Sequence, residues 1–379
     1  MTAGKVRVFK FGGASVKSAE GVVNLAKIIR NEQQPLIIVV SAMGKTTNAL
    51  EGILAKYMAG DNQYEVDFAN LKAQHIAIAK GLLEDDGGRE TRAIEDVFDL
   101  LEGMLDRPPQ ANYNYSYDQI VSFGEIFSTM IVSSYLNKAG IANTWVDCRE
   151  VLRTDNNYRE GNVNYEVSQA LCKKTFTFGD GSSGIYVTQG FIGGTEQGHT
   201  TTLGREGSDY TAALLANLLD ADSVTIWKDV DGVLNADPRI FSNTIKLNEV
   251  SFKEAIELAY CGAQIIHPKT IKPLQNKQIP LYVKSFINSQ GSGTKVYQTD
   301  ISIQYPPILI QKLNQVLISL TPRDFSFVIE DCLSKIFATL YKHRVKANLV
   351  QSSAISFSIC VDDEEHFLPG AIEELSLDF

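Results

Sequence analysis

The chain has 379 residues, 44% of them hydrophobic and 21% charged, with a formal net charge of −10. That length exceeds one typical domain and supplies a sizeable core, so two domains are expected. The acidic balance excludes generic nucleic-acid binding, which needs a basic excess.

Five cysteines, Cys148, Cys172, Cys261, Cys332 and Cys360, form no CxxC pair, which argues against a zinc knuckle or disulfide framework and for a reducing, cytoplasmic setting. The opening "MTAGKVRVFKFGG" enters a strand-like run without the apolar stretch of a signal peptide or membrane span, so no membrane anchor is expected.

In chain order, "VRVFKF" reads as a strand, "AEGVVNLAKIIR" as a helix and "PLIIVVSA" as a second strand. In the helix, Val22, Leu25, Ile28 and Ile29 fall at helical spacing and face one side. This alternation predicts βαβ units and a mainly parallel sheet. Residues 45–110 form a helical excursion with turns at "EDDGGRE" and "DRPPQ". Strands resume with "TWVDCREVL", "GIYVTQGFIGG", "SVTIWKDVDGVL" and "IPLYVKSF". "NSQGSGT" reads as a loop or linker, placing a boundary at 294/295. Beyond it, "QVLISLTP", "IEDCLSKIFATLYKH", "KANLVQ" and "AISFSICVDD" give a βαββ order, most of a small ferredoxin-like module.

Four stretches carry candidate chemistry. The glycine pair in "KFGGAS" suits either a tight turn or close approach of the backbone to a phosphate. "SFGEIFST" sets Glu125 in an apolar helical run; a buried carboxylate needs a cationic partner, either an internal salt bridge or a substrate ammonium. "TQGFIGGTEQGHTTTLGREGSDYTAALLA" is a Gly/Thr-rich loop entering a helix, whose free N–H groups suit an anion, with Ser208 or Asp209 as an ordinary N-cap the alternative. "WKDVDGVLNADPR" leaves the carboxyl end of a strand, where open α/β sheets bind ligands, although a plain surface turn fits it equally.

Together with "GAQIIHPKTIKPL", and in this order, these stretches resemble the aspartate kinases over nearly the whole chain. The resemblance implies a three-layer αβα amino acid kinase fold in residues 1–294 and an ACT-like regulatory region in residues 295–379. The activity implied is phosphoryl transfer from MgATP to the side-chain carboxylate of L-aspartate, the first step toward lysine, threonine and methionine. By the same analogy Lys10 lies against the transferring phosphoryl group and Asp209 orients it. Gly12, Gly13 and Ser15 line the ATP phosphates, with Lys228, Asp229, Arg239 and Gln264 around the nucleotide. Arg205 holds a carboxylate of aspartate, Glu125 receives its ammonium, and Ser41 and Thr47 border the same pocket. ATP and Mg²⁺ are implied, with no metal-ligating set of the chain's own.

Two positions depart from the family pattern. Gln264 stands where some relatives have lysine, which removes one charge contact to ATP or moves it elsewhere, and Glu206 replaces a common glycine. His199 and His267 read as packed or hydrogen-bonded histidines rather than reactants. The tyrosines of "QANYNYSYDQ" have little support as base-stacking groups in an acidic chain.

In the C-terminal region the resemblance implies an effector site near Asn348, Ser352 and Ser353, with lysine, threonine or no effector all open. A second ACT unit is expected to follow; the sequence reaches "AIEELSLDF" without one, and without a homoserine dehydrogenase domain. A homodimer or higher homo-oligomer is implied. A kinase acting on glutamate and a silent amino-acid-binding regulator are the competing readings. A nucleotide-dependent oxidoreductase is disfavoured because no GxGxxG follows the first strand.

Overall fold

The computed structural model describes residues 6–379 apart from 31, 33, 34, 85, 86, 180–183, 264, 265, 302, 323–326 and 364–367. Strand β1 (Arg7–Phe11), helix α1 (Ala19–Ile29) and strand β2 (Leu36–Val40) form the opening βαβ unit. The Ser18 hydroxyl caps α1, and Val22, Leu25, Ala26, Ile28 and Ile29 are its buried side. β2, "LIIVV", is buried at every residue, as a strand covered on both faces must be. The helical excursion resolves into α2 (Thr46–Ala59), α3 (Gln63–Leu83) and α4 (Arg89–Leu105), followed by α5 (Tyr113–Val121) and α6 (Phe123–Lys138).

Next come β3 (Thr144–Val146), α7 (Cys148–Val151), α8 (Tyr165–Thr175) and β4 (Ile185–Gln189). A small hairpin, β5 (Ile192–Gly194) and β6 (Thr200–Thr202), leads into α9 (Gly207–Leu218). The unit is completed by β7 (Ser223–Lys228), β8 (Val233–Leu234), β9 (Lys246–Leu247), β10 (Glu249–Ser251), α10 (Phe252–Tyr260), α11 (Pro268–Asn276), β11 (Leu281–Ser285) and β12 (Thr294–Tyr297).

The large sheet has the order β10-β12-β11-β7-β1-β2-β4-β3. From β11 to β3 every neighbouring pair is parallel, and β12 runs against β11. α9, buried along its whole length, packs on β1, β2 and β7 beside α8 and α11, while α6 packs on β2, β3 and β4 beside α1. The result is a three-layer αβα arrangement. The loops after β1, β2, β4 and β7 all leave carboxyl ends of parallel strands, where such sheets place ligands.

Three segments differ from the sequence reading. "TWVDCREVL" stops being a strand at Val146 because Asp147 caps α7, accepting from the Arg149 N–H at 3.0 Å. "GIYVTQGFIGG" splits at Gly190, where a Cβ would collide with Ser208, and at Phe191, which has φ 69°. The boundary expected at 294/295 lies later. Thr294 and Val296 point into the core as β12 joins the large sheet, so "NSQGSG" is a hairpin loop and the first compact unit runs to Ile308.

The second unit comprises Leu309–Phe379 with Tyr260–Ala263. It contains β13 (Gln315–Leu320), α12 (Glu330–Lys342), β14 (Ala347–Ser352), β15 (Phe357–Asp362) and a further helix, α13 (Leu368–Asp378). Its sheet, β13-β15-β14, is antiparallel, and Leu320, Ile336, Leu340, Phe357, Ile359, Val361, Leu368 and Leu375 form a separate core. Among the described residues, no helix is long and apolar enough to cross a membrane.

Candidate active site

A cleft of about 880 Å³ opens at the carboxyl ends of the parallel strands. It gathers Lys10, Gly12, Gly13, Ser15, Ser41, Thr47, Glu125, Arg205, Asp209, Lys228 and Asp229 from five separate segments of the chain.

At its centre, Lys10 at the end of β1 places its Nζ 2.6 Å from Asp209 Oδ1, with the residues 9% and 3% exposed. Lys228, ending the adjacent strand β7, reaches the other oxygen of Asp209 at 3.9 Å. Burial pushes the Asp209 carboxyl up, but the charges of Lys10 and Lys228 outweigh it and hold the group below its ordinary value. Asp209 lies in the first turn of α9, yet it does not cap the helix. The N-cap position is Glu206, which makes no side-chain cap bond, so the helix start faces the cleft through Gly207, Ser208 and Asp209. That is an anion-binding geometry.

The two glycines of "KFGGAS" do different work. A Cβ on Gly13 would stand 2.5 Å from the Ala42 carbonyl oxygen and 3.0 Å from that of Gly44, and the Gly44 N–H donates to the Gly13 carbonyl at 3.0 Å. Gly13 therefore interlocks the loops after β1 and β2. On Gly12, the nearest atom to an added Cβ is Lys10 Nζ at 3.6 Å, so this residue opens the backbone toward the cleft.

Glu125, in the first turn of α6, is 3% exposed. Its Oε1 accepts from the Ala42 N–H at 3.2 Å, and its buried Oε2 has no hydrogen-bond partner. Desolvation pushes the carboxyl up to about 8, against the opposing pull of the Ala42 N–H and the charge of Lys10. An orphaned buried carboxylate oxygen at the wall of an open cleft is a receptor for a cation. Ser41 and Thr47 border the same end, and Arg205 is exposed on the loop between β6 and α9.

Residues 5–285 match the family model described as "Amino acid kinase family". Over 361 residues the chain is 30% identical to the lysine-sensitive aspartokinase 3 of Escherichia coli K12, covering 94% of this chain and 78% of that one. It is 32% identical to the chloroplastic aspartokinase 3 of Arabidopsis thaliana, covering 97% of this chain and 68% of the relative. The structure of E. coli aspartokinase III with aspartate and ADP superposes with a TM-score of 0.80 at 28% identity, covering 98% of this chain and 83% of that one. This chain belongs to the amino acid kinase family, among the aspartokinases.

Against the aspartokinase pattern, the odd residues acquire physical explanations. Glu206 has φ 53°, the left-handed region that explains why glycine is usual there, and its carboxylate accepts from the His267 N–H at 3.1 Å. Arg239, expected at the nucleotide, does not line the cleft. Its guanidinium is taken up by Asp237 two residues earlier, Nε to Oδ1 at 3.0 Å and Nη2 to Oδ2 at 2.6 Å. Gln264 lies outside the described residues. His199 hydrogen-bonds the Tyr158 hydroxyl at 3.1 Å, and His267 caps α11.

The sequence reading missed Asn114, Tyr117, Asn157, Tyr158, Arg159, Glu160 and Trp227 on the cleft wall. Tyr117 was within view in the tyrosine-rich "YNYSYDQ"; the polar loop "DNNYREG" offered no pattern at all.

Proposed function

We infer that this chain is an aspartate kinase, transferring the terminal phosphoryl group of ATP to the side-chain carboxylate of L-aspartate to give 4-phospho-L-aspartate and ADP. The observation that carries this reading is one cleft holding both an orphaned buried carboxylate, Glu125, and a Lys10–Asp209–Lys228 cluster beside an uncapped helix start. The first suits an ammonium, the second a polyphosphate.

In the reaction a carboxylate oxygen of aspartate forms a bond to the γ-phosphorus as the bond to the β–γ bridging oxygen breaks, and that oxygen leaves with the electron pair as ADP. The attacking carboxylate is already ionised near neutral pH, so no base has to deprotonate it. The chain then has to align the two anions and neutralise charge in the transition state. Lys10 stands against the transferring group, oriented by Asp209. Gly12, Ser15 and the start of α9 cradle the phosphates, with Gly13 lining the same cleft and holding that loop against the one after β2, while Lys228 and Asp229 flank the nucleotide. Arg205 holds the non-reacting carboxylate through its planar fork. Ser41 and Thr47 border the aspartate pocket.

Magnesium fits as part of the nucleotide substrate. Among the described residues no group of three His, Cys, Asp or Glu side chains forms a cage, and Mg²⁺ commonly rides on substrate phosphates with one or two carboxylates. Of the exposed carboxylates on the cleft wall, Asp229 is the one beside Lys228, and we assign it to the metal.

The second unit we assign as a partial ACT-like regulatory module. Its strand order 1-3-2 and two helices suit an open ferredoxin-like sheet lacking one edge strand. One structural relative is described in complex with lysine and aspartate, which makes lysine the first effector to try. Asn348 is engaged within its own sheet, donating to Gln315 at 2.7 Å and Asp362 at 3.1 Å. A cytoplasmic homodimer completes the reading.

The test is ADP formation with MgATP and L-aspartate, with the acyl phosphate trapped by hydroxylamine and L-glutamate run in parallel. Aspartate-dependent hydroxamate is expected, and lysine titrated into the same assay reads the effector. Aspartate binding with no ADP formed would overturn the kinase reading in favour of a silent regulator.

A further inference from the structure

The aspartate end of the cleft contains a cation without a role so far. Arg159 sits between Asp155 and Gly161 in a polar loop and lines the cleft with Arg205. Its placement is built from three elements. The guanidinium carbon lies 4.4 Å from the ring centroid of Tyr117, and that ring is fixed by its hydroxyl donating to Glu51 at 2.6 Å. The Arg159 main-chain N–H donates to Asp118 at 2.8 Å, and the other oxygen of Asp118 accepts from the Thr202 hydroxyl at 2.7 Å. Asp118 is fully buried, and Thr202 ends the strand that leads to Arg205. One buried carboxylate thus ties together the two loops that carry the two arginines.

The loops also touch directly. The Gly161 N–H donates to the Thr202 carbonyl at 2.9 Å, and a Cβ added to Gly204 would stand 3.4 Å from the Arg159 carbonyl oxygen. Arg159 has φ 72°, a conformation that L residues rarely adopt, held by these bonds.

We propose that Arg159 is a second guanidinium on the non-reacting carboxylate of the amino-acid substrate, acting beside Arg205 as a specificity residue, with Asp118 as the positioning residue for both. This rests on the aspartate kinase reading. The chemistry recognised is an α-carboxylate, and a substrate with that group amidated would leave the Arg159 fork without an ionic partner.

The experiment compares the full chain with Arg159→Ala and Arg159→Lys, using L-aspartate and its α-amide as alternative substrates. Arg159→Ala keeps the main-chain N–H to Asp118 and exchanges one non-glycine residue for another, so the loop is retained; a melting curve checks it. The KM for L-aspartate is expected to rise about tenfold or more, as for loss of a charge-assisted contact, with the KM for ATP unmoved. The preference for aspartate over its α-amide, as a ratio of kcat/KM, is expected to shrink by a similar factor. Lysine is expected to restore little, lacking the fork. An unchanged preference ratio in an active, folded variant would overturn the assignment while leaving the kinase reading intact, as would parallel rises in both KM values with a lowered melting temperature. Wild-type chain that neither binds nor phosphorylates aspartate would overturn both.

Discussion

Lys10 and Lys228, ending adjacent parallel strands, converge on the two oxygens of one carboxylate, that of Asp209, at 2.6 and 3.9 Å. Lys10 pairs in register with Ile226, so Lys228, two residues further along β7, rises from the same face of the sheet one step beyond it, and Asp209 on α9 receives both. Replacing Lys10 by Met removes the charge closest to Asp209 while keeping an unbranched side chain. The kcat for hydroxamate formation is expected to fall by about 10²–10³, the typical loss for one preorganised charge-stabilising group. A kcat within about threefold of wild type would count against the role of Lys10 in the transition state.

Glu125 makes aspartate binding pH-dependent. Its carboxyl is pushed up to about 8 in the free chain, so near neutral pH it is largely protonated, and the substrate ammonium draws it toward the ionised form. Affinity for aspartate is therefore expected to rise with pH up to about 8, at most tenfold per unit, with a proton released on binding. Calorimetry in two buffers of different ionisation enthalpy reads the released proton; no difference between buffers would refute the coupling.

The same group acts on stability with the opposite sign. Its pKa is raised on folding from 4.5, so its stabilising contribution is complete below that value and is lost as pH rises through about 8. Glu125→Gln is expected to melt above wild type at pH 8.5 and level with it near pH 5, while losing affinity for aspartate. Parallel pH profiles of the two melting temperatures would contradict this.

The paired glycines separate turn from cradle. Gly13→Ala drives a Cβ against the backbone oxygen of Ala42, 2.5 Å away, and is expected to cost about 1–3 kcal/mol of stability as an overpacking substitution. Gly12→Ala meets nothing closer than 3.6 Å, so the melting temperature should hold while the KM for ATP rises. Equal melting losses in both variants would show that the distinction is false.

Arg205→Lys keeps the charge and loses the fork. The KM for aspartate is expected to rise about tenfold with the KM for ATP unchanged, since a lysine cannot reproduce a bidentate carboxylate contact. Steady-state kinetics with each substrate varied in turn decides it.

Much of this site was legible because parallel sheets place their chemistry at strand ends, and the strands themselves were written as apolar runs. Lys10 and Lys228 follow directly from that rule. Arg239 did not, because a local pairing with Asp237 competes with any ligand, and a linear motif does not register such competition. Arg159, Tyr117 and Asp118 escaped because their arrangement depends on contacts between segments 40 and more residues apart. The domain boundary was misplaced because a Gly/Ser-rich loop has the same composition as a hairpin or as a linker. Only the pairing of Thr294–Tyr297 with β11 and β10 tells the two apart.

The interlock at Gly13 reaches further than packing. Gly13 is bonded to Gly44 and abuts Ala42, and the Ala42 N–H is the one that Glu125 accepts. The loop after β1, where the ATP phosphates are assigned, and the assigned receptor for the amino acid's ammonium thus share a single stretch of backbone. Any coupling carried by that stretch is reciprocal: whatever ATP does to the affinity for aspartate, aspartate does equally to the affinity for ATP.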